Sequence, residues 1–137
     1  MIWKFIKSYH KTLITIILIA FASLVNVGDI TPDGFPMIPN FDKIVHLLMY
    51  STLTFIFLWE NYSRHYYHVI TNRVYLIFLI VILVGITMEL LQYSITNYRS
   101  GDIRDTIANT VGSIVGWLGF NVTRKIPFLK NHFFKSI

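Results

Sequence analysis

The sequence predicts an all-α integral membrane protein, a four-transmembrane-helix bundle with a short polar outer cap. Three observations predict it. The chain of 137 residues is 54% hydrophobic and only 14% charged, above the apolar share of a water-soluble domain. Its apolar residues gather into four runs, 12–27, 44–59, 74–91 and roughly 103–122, each near the ~20 residues that carry a helix across a bilayer. The lysines and arginines lie at or beyond the ends of those runs, as in membrane proteins. The net charge of +5 therefore belongs to the flanks of spans, and no nucleic-acid partner is expected. With no cysteine in the chain, disulfides, thiolate metal sites and a cysteine nucleophile are excluded.

The first run follows Lys4, Lys7 and Lys11, which makes residues 1–11 a cytoplasmic amino-terminal segment. A signal peptide shares this outline, with an end near Ala20-Phe21-Ala22, but its removal would leave the other three spans oriented as before. Gly28 to Asn40 is the only Pro/Gly-rich stretch and reads as a loop. The second span opens at Asp42, the third closes at Glu89 and Gln92, and the fourth opens near Asp102. The membrane domain then covers residues 12–122 and a basic cytoplasmic tail residues 123–137. No internal repeat or low-complexity tract suggests a second domain.

Charge sets the expected orientation. Lys4, Lys7, Lys11, Arg64, Arg73, Arg124, Lys125, Lys130 and Lys135 share one side, against Lys43, Arg99 and Arg104 on the other. Both termini are expected in the cytoplasm. Trp3, Trp59 and Trp117 fall toward the same side, as interfacial tryptophans do.

The membrane-level polar residues collect on the opposite side. Asp42, His46 and Tyr50 are spaced four apart, so they line one helical face over about 12 Å. Glu89 and Gln92 share a face near the end of the third span. Asp105, Asn109, Gly112 and Gly116 stay within about 60° of one another on the fourth. An ionisable group facing lipid costs about 2.5–3.5 kcal/mol at mid-membrane, so such groups turn inward and pair. Plain structural roles compete for several of them: Asp42 and Asp102 can serve as helix N-caps, Glu89 can pair with Arg99 or Lys43, and Tyr50 can be a core aromatic. The glycines at four-residue spacing suit close helix packing, within the chain or across a dimer.

The series Asp42-Lys43-x-x-His46-x-x-x-Tyr50, Glu89-x-x-Gln92, Arg99 and Asp105-x-x-x-Asn109-x-x-Gly112-x-x-x-Gly116 resembles the VanZ-like family of small bacterial membrane proteins. The likeness covers about three quarters of the chain. One departure is that Asn97-Tyr98 precedes Arg99, where the family often has a Pro or Gly. The resemblance implies a protein of the bacterial cytoplasmic membrane whose namesake is associated with low-level teicoplanin resistance. Fold-level analogy adds kinship with membrane enzymes of phosphate-containing lipid headgroups.

The functional expectation is an enzyme at the outer interface, acting on a phospholipid headgroup or a lipid-linked cell-wall precursor. His46 is the candidate base or nucleophile, with Asp42, Glu89 and Asp105 to orient it, activate water or bind a divalent cation such as Mg²⁺. Lys43, Tyr50, Gln92, Arg99, Asp102 and Asn109 are the candidate substrate-binding residues, with Arg99 and Lys43 suited to phosphate. Gly112 and Gly116 are assigned to helix packing. No HExxH zinc signature is present. Two alternatives use the same residues: a lipid or lipoglycopeptide binding protein without catalysis, and a small transporter or flippase with Glu89 and His46 as proton relay. The transporter reading is disfavoured because the inner half of the spans is expected to lack charged groups.

Overall fold

The computed structural model describes residues 2–24, 40–64, 71–95 and 103–126. All five elements are helices: α1 (Ile2–Ser8), α2 (His10–Leu24), α3 (Phe41–Arg64), α4 (Thr71–Ile95) and α5 (Ile103–Lys125). Helix α1 is a short helix within residues 1–11, the amino-terminal segment ahead of the first apolar run. Its last carbonyls, those of Lys7 and Ser8, accept hydrogen bonds from the Arg64 guanidinium at the end of α3. Of these helices, α3 and α4 are long and apolar enough to cross a membrane, whereas α2 has 15 residues.

Asn40 begins α3. Its carbonyl accepts from the Lys43 and Ile44 amides, and its positive φ of 59° is one that asparagine tolerates. Asp42 is consequently not the N-cap. It lies inside the first turn, where a carboxylate still interacts well with the helix dipole.

Helices α3 and α5 form the centre and run parallel to each other. The glycines of α5 explain how closely they approach. A Cβ at Gly112 would collide with the Leu47 carbonyl, and one at Gly116 with the Ser51 carbonyl, a turn further along. The stripe therefore packs within the chain, backbone against backbone. Beyond it, Phe120 meets Tyr62 and Phe55 edge-on, at centroid distances of 5.6 and 6.4 Å. Helix α4 lies against both, and α2 joins at two polar points described below.

Polarity is distributed inside out. His46, Thr54, Glu60, Glu89, Gln92, Asp105, Asn109 and Ser113 are buried, while Ile17, Phe21, Leu79, Leu90, Ile107 and Leu118 are exposed. Water as solvent would favour the reverse arrangement.

The glycine contacts set graded costs. Gly112→Ala and Gly116→Ala are each expected to destabilise the protein by roughly 2–3 kcal/mol, since backbone must move to admit a methyl group. At Gly119 the added Cβ would meet only the Phe55 ring at 3.8 Å, so Gly119→Ala should be neutral or stabilising through helix propensity. Thermal melts of detergent-solubilised variants measure the difference, and equal losses at all three positions would contradict the packing described.

Candidate active site at one end of the bundle

The polar cluster is built from the first turns of α3 and α5 and the last turns of α4. Because α3 and α5 are parallel and in close contact, residues early in each become neighbours. His46 is 2% exposed, and its Nδ1 lies 3.0 Å from Asn109 Oδ1 on α5 and 3.9 Å from Glu89 Oε1 on α4. One turn toward the helix start, Lys43 Nζ is 3.0 Å from Asp42 Oδ2 and 3.4 Å from Asp105 Oδ1. Lys43 and Asp42 are part-exposed and form the mouth, while His46, Glu89 and Asp105 lie behind them.

The His46–Asn109 contact bears on the tautomer. With Asn109 Oδ1 as acceptor, His46 Nδ1 carries the proton and Nε2 keeps the lone pair. A neutral histidine in that state can accept a proton or act as a nucleophile. Below it, Gly85 on α4 leaves room for two polar side chains: a Cβ there would stand 3.3 Å from the Tyr50 ring and 3.4 Å from Asn109 Nδ2. A crevice of about 10 Å³, the space of one water molecule, is lined there by Tyr50, Gly85, Thr106, Asn109, Thr110 and Ser113 among others. The Tyr50 hydroxyl and Asn109 Nδ2 are buried without a hydrogen-bond partner among the described residues.

The structure thus brings Asp42, Lys43, His46, Tyr50, Glu89, Asp105 and Asn109 together from three helices. Arg99 and Asp102 lie outside the described residues. Gln92 is differently engaged from the expectation: its Nε2 donates to the Ser23 carbonyl at 2.7 Å and so ties α4 to α2. Gly85 went unnoticed in the sequence, although a small residue one turn before Glu89 was the available signal.

Among the described residues, one atom each of His46, Glu89 and Asp105 lies within 4.8 Å of the others, so this trio could hold a metal ion.

A model of the VanZ/LLP1 family matches residues 1–124. The chain belongs to that family. No curated protein and no solved structure matches the chain. The match to the VanZ/LLP1 family takes in every residue of the cluster, from Asp42 to Asn109, and the packing glycines beyond.

At the other end of the bundle the structure corrects the expectation that no charged group lies in that half. Glu60, 6% exposed, accepts hydrogen bonds from the Lys11 and Thr12 amides at 3.0 Å each and from the Thr12 hydroxyl at 2.7 Å. It caps the first turn of α2 from a neighbouring helix, satisfying amides that have no partner within α2. Glu60 directly follows the second apolar run, which ends at Trp59, so in the sequence it carries no signal of burial. With both oxygens spent on α2, Glu60 is a fastening and not a step in a proton path.

Glu60→Ala is expected to cost roughly 2–3 kcal/mol by leaving the buried Thr12 amide and the part-buried Lys11 amide unpaired, and Glu60→Gln less. Hydrogen exchange should localise the change to the first turn of α2. A uniform loss of protection over all helices, or none, would be inconsistent with a cap.

Proposed function

We propose that this VanZ/LLP1 protein is an integral membrane enzyme with α2 to α5 as four spans, both termini in the cytoplasm, and its active site at the outer interface. The inside-out polarity supports the membrane reading, since apolar side chains face outward around a polar interior. The basic residues at the opposite end support the orientation.

The proposed substrate is a phosphate-containing lipid headgroup or a lipid-linked cell-wall precursor. One observation carries this reading: a buried neutral-capable histidine, held by Asn109 and flanked by Glu89, stands behind a part-exposed lysine at a helix start. Lys43 would meet the phosphate as a point charge, with Arg99 as a second anchor on the strength of its sequence position. In the hydrolytic form, His46 Nε2 accepts a proton from water as its oxygen bonds to phosphorus. The ester P–O bond breaks, and the departing alcohol oxygen recovers the proton from His46. In the transfer form a lipid or sugar hydroxyl replaces water. Glu89 would stabilise the imidazolium that forms in either case. Any link to teicoplanin resistance would follow from changes in such lipids.

Purified protein incubated with labelled phospholipids and lipid-linked wall precursors should convert one of them. His46→Gln should lower turnover by roughly 10²–10⁴ while substrate is still bound, and Asp105→Asn should also lower it. Binding without conversion by the wild type, unchanged in His46→Gln, would establish the non-catalytic binding protein instead.

Orientation is testable separately. A cysteine introduced at position 33 or 96 should react with an impermeant thiol reagent in intact cells. Reaction at position 130 but not at 33 would reverse the topology and move the site to the cytoplasmic face.

A further inference from the structure

We infer that His46, Glu89 and Asp105, with Asn109 Oδ1 beside them, form a binding site for one divalent cation. The first argument is distance. Two ligands of one ion stand about 3.0 Å apart when adjacent and about 4.2 Å apart when opposite, for the ~2.1 Å bonds of small divalent ions, and somewhat farther for larger ones. His46 Nδ1 is 3.0 Å from Asn109 Oδ1 and 3.9 Å from Glu89 Oε1, and all three members of the trio fall within 4.8 Å of one another. The set is near coordination spacing, and its widest separation closes in slightly around a small ion.

The second argument is charge. Two carboxylates are buried here, Glu89 at 8% and Asp105 at 5% exposure; Asp105 faces Lys43 of α3 and Glu89 faces His46. Lys43 also serves Asp42, so its single charge is shared among more than one acid. A divalent ion would balance the two buried acids, and Lys43 would stay with Asp42 at the mouth. The third argument is the set of groups around the trio. The Tyr50 hydroxyl, fully buried and one helical turn from His46, has no hydrogen-bond partner among the described residues, nor has Asn109 Nδ2. Both residues line the water-sized crevice next to the trio, which Asn109 joins to His46.

Three oxygens and one imidazole nitrogen suit Mn²⁺ or Mg²⁺ better than the sulfur-seeking metals. Coordination uses the Nδ1 lone pair, so the ring proton moves to Nε2 and the Asn109 oxygen turns from acceptor to ligand. His46 is therefore a ligand in the loaded state, and its role as base belongs to the cation-free state. The site itself requires no lipid, so it stands or falls apart from the enzymatic proposal.

Mn²⁺ alone is the probe, titrated into the detergent-solubilised full chain and followed by electron paramagnetic resonance. The wild type should bind one Mn²⁺ and gain thermal stability from it. Glu89→Gln and Asp105→Asn, which keep shape and remove charge, should each weaken binding about tenfold or more, as loss of a ligand does. Lys43→Gln should act in the opposite direction and tighten it, because a competing cation is gone. Absence of Mn²⁺ binding by the wild type overturns the inference. So does binding that both acid variants retain unchanged, or that Lys43→Gln weakens.

Discussion

The contact of the α5 backbone with the α3 backbone at Gly112 and Gly116 is the constraint on which the rest of the arrangement depends. Side chains at these positions would hold the helices apart by the width of a methyl group or more. Without a hydrophobic driving force between helices in lipid, close backbone approach is a main source of attraction. The same approach sets the register. With Gly112 on Leu47 and Gly116 on Ser51, Asn109 arrives at His46 and Asp105 at Lys43. Packing at mid-helix thus decides the geometry of groups one to two turns away.

Burial then makes that geometry consequential. A carboxylate or imidazole in an apolar surrounding interacts strongly with whatever lies near it, and a missing partner is costly. Glu89 and Asp105 come from different helices, yet each brings a carboxylate oxygen within 4.8 Å of a His46 ring nitrogen. Such convergence from three helices is difficult to explain by the stability of any one of them. Replacing the cluster with apolar side chains of similar volume would serve folding as well or better. That imbalance is the ground for proposing chemistry there.

The helical architecture and the membership of one polar face were legible in the sequence because both rest on periodicity. Asp42, His46 and Tyr50 at four-residue spacing, and Asp105, Asn109, Gly112 and Gly116 within a narrow arc, are properties of a single helix. Partners across helices were less legible. The Gln92 amide on the Ser23 carbonyl joins residues far apart in sequence, and nothing local distinguishes a glutamine that ties helices from one that binds substrate. Gly85 escaped for a related reason: its role lies in the space it leaves for Tyr50 and Asn109, which belong to other helices. Glu60 was hidden by its place at the end of an apolar run, where an acid reads as the start of a loop. Helix α1 is too short for a periodic signal.

The buried acids among the described residues, Glu60 at one end and the Glu89–Asp105 pair at the other, show how structure and chemistry can be told apart on hydrogen bonding. Glu60 meets three donors from α2, all on Lys11 and Thr12 in its first turn. Its acceptor capacity is consumed by neighbours that do not move unless the helix unwinds. Asp105 is differently placed. Among the described residues its Oδ1 accepts no hydrogen bond, and the cation it faces is the flexible ammonium of Lys43 at 3.4 Å, which also serves Asp42. A buried acceptor whose neighbour can turn elsewhere retains capacity for a proton, an ion or a phosphate-bound cation. Function is therefore expected where burial is high and local satisfaction incomplete, and among the described carboxylates that description fits Asp105, at the end bearing His46.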